Sequence, residues 1–311
     1  MSHPEADQLA YRSPSRRHER RFFYKYVSSR VAKITLANRT LRWSSPLSFN
    51  DPFDVTQELR LNFNRAELKQ AVVEGMIKLF DEADPSYAPS GLRQRLLAMI
   101  VNIARDKPDL RQLIAEKLRD DVDAASEQTD ALEELKGVWR DLVPRFRVLC
   151  LSELNDVTSM WLHYADAYRG AVLEFEAVDR LDSVFLIARP VKYQDTAPAI
   201  ASKEVWAQCM LERSTLTYED LFTEYQYVKT TAWAYEREWR IVSVARDGET
   251  GLFSDYPFHP SELAGVYLAS QCSQDDEKEI LALLSHGLEH VSVYKAAIAG
   301  PEAKFTFQRI R

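Results

Sequence analysis

Residues 235–242, with the sequence YEREWRIV, combine acidic and basic side chains at a spacing that could serve chemistry. If this segment is a β-strand, its side chains alternate between two faces, so Glu236, Glu238 and Arg240 share one face. Two carboxylates and a guanidinium in a row could hold a sugar hydroxyl and stabilise positive charge that develops on a sugar carbon. The alternative is the solvated outer face of an edge strand, where ion pairs contribute little to stability.

Residues 160–170, with the sequence MWLHYADAYRG, form a second unusual stretch. On a helix that runs to Tyr168, the rings of Trp161, Tyr164 and Tyr168 lie on one face. Such a stripe is either part of the core or a wall on which a flat ring can stack, a contact worth roughly 0.5–1.5 kcal/mol beyond burial. His163 projects away from the stripe and could act as an acid or base near neutral pH or as a structural hydrogen-bonding residue.

The segment 46–54 contains two prolines, an asparagine and two aspartates, a composition that predicts an irregular loop. Loops of this kind often carry functional residues, so Asn50 and Asp51 are candidate ligand contacts. Asp51 and Asp54 could also hold a hard cation. A tight Asn-Asp-Pro turn explains the same residues equally well.

The composition indicates a folded globular protein and excludes several kinds of site. The 311 residues are 46% hydrophobic with a net charge of -7, so a general positive field for nucleic acids is absent. The three cysteines lie far apart, which disfavours a disulfide framework. The histidines show no metal-ligand spacing, no metal is expected, and no glycine-rich phosphate loop is present. Without a signal peptide or an apolar run of membrane-spanning length, we expect a cytoplasmic protein.

The apolar periodicity predicts an α+β fold with a mixed or antiparallel β core. Strands are expected at residues 21–27, 41–45, 147–152, 171–176, 184–187, 191–193, 235–242, 263–269, 291–294 and 305–310. Helical spacing predicts an all-helical insertion over residues 65–143, with further helices at 30–36, 158–168, 203–212, 218–232 and 275–285. The polar, arginine-rich residues 1–21 are expected to be a flexible arm, and residues 22–311 a single domain that the insertion interrupts.

Five motifs, taken in their order along the chain, resemble a bacterial family called domain of unknown function 2971. They are YKY at 24–26, FNDPFD at 49–54, LCLSE at 149–153, MW to G at 160–170 and YEREWR at 235–240. The resemblance covers residues 22–310 apart from the helical insertion. It supplies a family but implies no activity.

The order of these parts is also similar, more distantly, to ADP-ribosyltransferase folds, which implies a split β-sheet that binds NAD. On that similarity Lys25 or Tyr26 would contact NAD, with Lys25 standing where an arginine or histidine is usual. Ser44 or Ser45 would take the place of the serine-strand motif. Glu238 would hold the nicotinamide ribose.

The same similarity implies that Glu236 would orient or deprotonate an acceptor. Tyr164 or Trp161 could stack on the nicotinamide ring. The candidate catalytic residues are therefore Glu236 and Glu238. The candidate ligand-binding residues are Lys25, Tyr26, Ser44, Asn50, Asp51, Trp161, His163, Tyr164 and Arg240.

The leading hypothesis is an NAD-consuming enzyme, either an ADP-ribosyltransferase with a macromolecular acceptor or an NAD glycohydrolase. Such chemistry suits a bacterial toxin or an anti-phage defence effector. A second hypothesis is a non-catalytic module that binds a ligand or a partner. A third is a metal-dependent nuclease built on Asp51, Asp54 and Glu238.

Overall fold

The computed structural model describes residues 11–51, 53–56, 58–81, 92–121, 127–211, 218–299 and 304–311. Within them the chain forms helices and a mixed, mostly antiparallel sheet, so the predicted α+β class is confirmed. The chain divides into two compact units. The sheet unit comprises Met1–Thr56, Val143–Asp195 and Tyr227–Arg311, and the helical unit comprises Gln57–Leu142 and Thr196–Gln226.

The described residues contain twelve β-strands and nine α-helices. The strands are β1 Phe22–Val27, β2 Thr40–Ser44, β3 Phe146–Ser152, β4 Ala171–Glu176, β5 Arg189–Pro190, β6 Lys192–Tyr193, β7 Val228–Lys229, β8 Glu238–Val244, β9 Phe253–Pro257, β10 Leu263–Leu268, β11 Ser292–Ala299 and β12 Lys304–Arg309. The helices are α1 Ser29–Asn38, α2 Arg65–Asp81, α3 Leu92–Ala104, α4 Pro108–Asp121, α5 Glu127–Leu142, α6 Thr158–His163, α7 Lys203–Met210, α8 Tyr218–Gln226 and α9 Gln274–Leu284.

Ten of these strands form one sheet in the sheet unit. Its main order is β12-β11-β10-β4-β1-β3-β2-β9, with β8 paired to β3 and β5 paired to β8. All of its pairs are antiparallel except β10 with β11. Because Ser152 of β3 lies opposite both Tyr24 of β1 and Glu238 of β8, the three motif-bearing strands meet at one place.

The apolar face of β8 anchors that strand to the core. The Trp239 ring lies 5.4 Å from the Phe23 ring and 5.0 Å from the His18 ring, measured between centroids. Ile241 is also buried. Since side chains alternate along the strand, this packing turns Glu238 and Arg240 to the opposite face.

Several predicted elements differ in type or length from those observed. The helix predicted to reach Tyr168 ends at His163, because Asp166, Ala167 and Tyr168 adopt φ values of 48°, 50° and 65°, which a right-handed helix excludes. The helix predicted to reach residue 232 ends at Gln226, where the chain turns into β7.

Two predicted strands are partly or wholly 3-10 helix. Val184–Ile187 form a 3-10 helix, which the Ser183 hydroxyl caps by accepting from the Phe185 N–H. Thr231–Glu236 form another, so the strand predicted from residue 235 begins only at Glu238.

The helical unit has a core of its own, formed by α2, α3 and α7. Its buried side chains include Leu68, Val72, Met76 and Phe80 of α2, Val101 of α3 and Ala207 of α7. The helical unit therefore takes in the segment Thr196–Gln226 as well as helices of the predicted insertion. No helix in the described part of the chain is long and apolar enough to cross a membrane.

Part of the predicted N-terminal arm contacts the sheet unit. The Ser13 N–H donates to Asp179 at 2.9 Å, and Arg16 Nη2 lies 2.7 Å from the same carboxylate. Arg20 pairs with Glu153 at 2.9 Å. Residues 1–10 lie outside the described residues, and the flexibility of the arm as a whole stays a prediction.

Gly170, which follows the left-handed turn, is packed against backbone. A Cβ at this position would overlap the carbonyl oxygen of Val27, so Gly170→Ala should lower the free energy of unfolding by about 1–3 kcal/mol. The matched control is Gly137→Ala in α5, where a Cβ meets no atom within 4 Å. That control should raise stability by about 0.5–1 kcal/mol, because alanine is the better helix former. Thermal and denaturant unfolding measure both, and equal stability of the two variants would contradict the packing.

Candidate functional site

A cavity of about 170 Å³ opens in the sheet unit where β1, β3 and β8 meet the loop 45–56. Its aromatic lining consists of Tyr24, Tyr26, Phe49, Tyr164 and Trp233. Its charged lining consists of Lys25, Asp51, Asp54, Lys229, Glu236, Glu238 and Arg240. We call this cavity the charged pocket. The predicted acidic segment, the Asn-Asp-Pro loop and the residues near α6 thus contribute to one site.

Arg240 connects β8 to the loop at the base of the charged pocket. Its guanidinium donates to both carboxylate oxygens of Asp54, each at 2.7 Å. It also donates to Glu238, with Nε 2.8 Å from Oε1. The Arg240 side chain is 0% exposed, which excludes the alternative of a solvated outer face. A guanidinium buried this completely is stable only when carboxylates in good geometry compensate for its lost hydration.

Lys229 of β7 bridges the two glutamates. Its Nζ lies 2.6 Å from Glu236 Oε2 and 3.0 Å from Glu238 Oε2. The two carboxylate oxygens therefore lie within about 5.6 Å of each other, the sum of those two contacts. The Tyr164 hydroxyl donates to the other Glu236 oxygen at 2.6 Å. Both glutamate side chains are nearly inaccessible to bulk water, at 3% and 5% exposure.

The two glutamates come together where a 3-10 helix joins β8, and not through the alternation of side chains along one strand. Glu236 is the last residue of the 3-10 helix, and Arg237 reverses the chain with φ 48° before β8 begins. The Ser152 hydroxyl donates to the Glu236 carbonyl at 2.7 Å, and the Glu153 N–H donates to the Arg237 carbonyl at 3.1 Å. These two bonds, from the end of β3 and the residue after it, hold the junction in place.

The loop holds its aspartates through bonds to its own backbone. The Phe53 N–H donates to Asp51 at 2.8 Å, which is an Asx turn, and the Val55 N–H donates to Asp54 at 2.8 Å. Thr230 lies 3.5 Å from the second Asp51 oxygen. Pro52 of the predicted motif lies outside the described residues. The tight-turn interpretation of Asp51 is therefore supported by direct contacts.

The environment shifts the pKa values of the two glutamates in opposite directions. Burial favours the neutral form of Glu238, but the positive charges of Arg240 and Lys229 outweigh it and hold the pKa of Glu238 well below its ordinary value. Burial raises the pKa of Glu236, Lys229 offsets only part of that effect, and the charge of Glu238 raises it further. Pairs of carboxylates separated in this way often divide into a permanent anion and an acid or base.

Lys229 and Cys150, which also line the pocket, each stay in one form near neutral pH. Burial lowers the pKa of Lys229, but the carboxylates of Glu238 and Glu236 more than reverse this, so the amine stays protonated. Burial raises the pKa of the Cys150 thiol, and Glu238 raises it further. A neutral thiol and a charged ammonium are both poor nucleophiles, so covalent catalysis through either is disfavoured.

The charged pocket contains most of the predicted site residues. They are Lys25, Tyr26, Asn50, Asp51, Tyr164, Glu236, Glu238 and Arg240. The Lys25 ammonium donates to the Cys150 carbonyl at 2.7 Å, and the Tyr26 hydroxyl donates to the Leu154 carbonyl at 2.9 Å. Both β1 residues therefore also support the walls of the pocket.

Three predicted site residues do not line the charged pocket. Trp161 is fully buried in the core, where it packs against Tyr26 and Phe305 with centroid distances of 5.6 and 5.5 Å. His163 is exposed at the end of α6. Ser44 pairs within the sheet, opposite Val148 and Phe253. Because the helix ends at His163, the predicted aromatic stripe does not continue as one wall.

Sequence reasoning missed Lys229 and Trp233 and gave Asp54 a different role. Lys229 falls in a segment that the sequence predicts as helix, and its carboxylate partners follow at no recognisable motif spacing. The signal that could have found Lys229 is the charge balance of the site, since buried carboxylates require a nearby cation.

No group of three or more His, Cys, Asp or Glu side chains in the described ranges is arranged to hold a metal ion. Asp54 and Glu238 are two of the three ligands of the hypothetical nuclease. Both carboxylates already accept hydrogen bonds from Arg240, which disfavours metal coordination. The carboxylates are arranged to receive a guanidinium.

The comparisons with known proteins match part of the chain to a family. The family model described as protein of unknown function (DUF2971) matches residues 160–241. The predicted resemblance to DUF2971 is confirmed over residues 160–241. The matched segment carries Tyr164, Lys229, Glu236, Glu238 and Arg240, so it includes most of the polar network of the pocket. Neither the curated proteins nor the solved structures compared with the chain give a match, and the similarity to ADP-ribosyltransferase folds stays a prediction.

Removal of the Arg240 charge should destabilise the protein strongly. Arg240→Leu leaves Asp54 and Glu238 buried without their guanidinium, so the free energy of unfolding should fall by roughly 3–5 kcal/mol. The matched control is Arg42→Leu, which removes another arginine that donates two hydrogen bonds to one carboxylate, that of Asp255, but at the surface. That control should lose less than about 1 kcal/mol. Denaturant unfolding at pH 7 measures both, and comparable losses would contradict the buried network.

Proposed function

We propose that the protein is an enzyme that breaks the N-glycosidic bond of NAD or of a related nucleotide, as a glycohydrolase or an ADP-ribosyltransferase. The observation that supports the proposal most is the close pair Glu236 and Glu238, whose pKa values are shifted in opposite directions inside one pocket. Titratable pairs of this kind cluster at catalytic sites.

The proposed reaction gives the two carboxylates different roles. The bond between the ribose carbon and the nicotinamide nitrogen breaks, and its electron pair leaves with neutral nicotinamide. Glu238, which remains ionised, stabilises the positive charge that forms on the ribose. Water or an acceptor hydroxyl then attacks the ribose carbon, and Glu236 takes up its proton.

The size and lining of the charged pocket limit how such a substrate could bind. Its volume of about 170 Å³ is below the roughly 300–1,000 Å³ of pockets that enclose a drug-sized ligand. We therefore propose that only the nicotinamide ring and its ribose enter and that the remainder of the dinucleotide stays outside. The rings of Phe49, Tyr164 and Trp233 offer apolar surface for a flat heterocycle.

The proposal extends to where and why such an enzyme would act. NAD is available in the cytoplasm, so we propose that the enzyme acts there. Depletion of NAD or modification of a macromolecule would suit a toxin or a phage-defence effector.

A second candidate is a module that binds a nucleotide or a partner without turnover. The observation that favours it is that Arg240 and Lys229 already compensate Glu238, which weakens the field that this carboxylate could apply to a cationic sugar. A site whose charges are paired in advance suits recognition as well as catalysis.

The direct test is release of nicotinamide from NAD, followed by chromatography, with and without protein and nucleic-acid acceptors. Wild type should consume NAD, and Glu236→Gln and Glu238→Gln should each lower kcat by about 100-fold or more. A general base contributes about that much, and so does a group that stabilises the charge of the transition state. The matched control is Glu262→Gln, which alters a carboxylate that is also 5% exposed but bonds to Ser183 and His259 instead.

The outcomes separate the candidates. If the wild type and the folded variants bind NAD tightly but do not consume it, the result supports the binding module and contradicts the enzyme. Neither binding nor consumption contradicts both. Equal loss of activity in the Glu262 control would show that instability and not chemistry explains the effect.

A further inference from the structure

We infer that Lys229 is the positioning residue of the glutamate pair and that its ammonium fills a cation subsite formed by Glu236, Glu238 and the indole of Trp233. No motif of the sequence singles out this lysine. The inference follows from three contacts that surround one atom.

Two carboxylates and one indole ring surround the ammonium, and both kinds of group bind alkylammonium ions. Nζ lies 2.6 Å and 3.0 Å from the two carboxylates and 4.8 Å from the centroid of the Trp233 ring. A cation within about 6 Å of an aromatic face is attracted by the ring quadrupole, more strongly when water is excluded. The Lys229 side chain is only 8% exposed, so the subsite is largely dry.

The position of the ammonium determines how the two glutamates behave. Their contacting oxygens lie within about 5.6 Å of each other, and without a cation between them two buried carboxylates repel and come to share a proton. Lys229 thereby fixes both their spacing and their joint charge. The other titratable and charged groups around the pair in the described residues include Asp54, Cys150, Tyr164, Tyr193, Tyr235 and Arg240, and Lys25 and Asp51 line the same pocket.

The consequence for a reaction rests on the proposed function, whereas the subsite itself does not. In that reaction Lys229 touches neither the sugar carbon nor the leaving group. It keeps Glu238 ionised and directs one Glu236 oxygen, so that the other remains toward Tyr164. Lys229 acts through the carboxylates.

The first test compares Lys229→Met and Lys229→Arg across pH 5 to pH 8 by thermal unfolding. In Lys229→Met we expect the pKa shared by Glu236 and Glu238 to rise above the unfolded value of roughly 4.3. The stability of this variant is then present at low pH and is lost as the pH rises through the folded pKa. We expect a Tm loss of about 5–10 °C at pH 8 that shrinks markedly at pH 5. Lys229→Arg, which keeps a cation, should recover most of the loss. A pH-independent loss would mean simple packing and would overturn the inference.

The second test refills the subsite from solution. Lys229→Ala leaves a gap of aliphatic and ammonium shape, so about 100 mM propylammonium should raise its Tm by on the order of 3 °C if the Kd is about 10 mM. Neutral 1-propanol should not. The matched control is Lys33→Ala, because Lys33 also bridges two carboxylates, Asp276 at 2.9 Å and Glu279 at 2.7 Å, but at the surface. Propylammonium should leave that control unchanged.

The results distinguish this inference from the proposed function. Selective recovery of Lys229→Ala supports the subsite even if the wild type never consumes NAD. If propylammonium raises the Tm of the Lys229 and Lys33 variants equally, or raises neither, the subsite is overturned even if NAD is consumed. Should Lys229→Ala fail to fold, the pH dependence of Lys229→Met and its repair in Lys229→Arg decide the question.

Discussion

The structure of the pocket depends on a chain of buried ion pairs that runs from Asp54 through Arg240, Glu238 and Lys229 to Glu236. Three carboxylates and two cations lie almost entirely out of water, and such groups are stable there only while every partner is present. The loss of one member leaves its neighbour as an uncompensated charge. The network therefore acts as a unit, and the shape of the pocket follows from it.

Four members of this network lie within residues 229–240, and the fold is needed to bring the distant Asp54 to them. Asp54 lies on a loop after β2, Lys229 on the two-residue strand β7, and Arg240 on β8. Irregular backbone supplies the remaining alignment: an Asx turn at Asp51 and a left-handed residue at Arg237. The regular sheet provides a rigid base, and the irregular backbone at the turn and at Arg237 orients the side chains.

Local sequence patterns predicted the strands that carry the site but not the contacts between them. Alternation correctly placed Glu238 and Arg240 on the face opposite Trp239, since that pattern depends only on neighbouring residues. The same rule gave Glu236 the right location for a wrong reason, because its backbone is 3-10 helix. Lys229 was missed because a 3-10 helix and a left-handed residue separate it from Glu236 and Glu238, seven and nine residues further on, and no local period predicts that backbone path.

The aromatic residues near α6 illustrate the same limit. Helical spacing grouped Trp161 with Tyr164, but three left-handed residues after His163 end the regular turn, and tertiary packing then separates their roles. Trp161 fills the core, and Tyr164 bonds to Glu236. A pattern gives the face of an element only as far as the element extends.

The most direct measurement is a site-resolved NMR titration of the Glu236 and Glu238 carboxyl carbons in the wild-type protein, with the single Gln variants used for assignment. Glu238 should remain ionised to a pH well below the ordinary glutamate pKa of roughly 4.3, and Glu236 should take up its proton above that value. If both carboxyls titrate together near the ordinary value, as solvated groups do, the buried network does not exist as described.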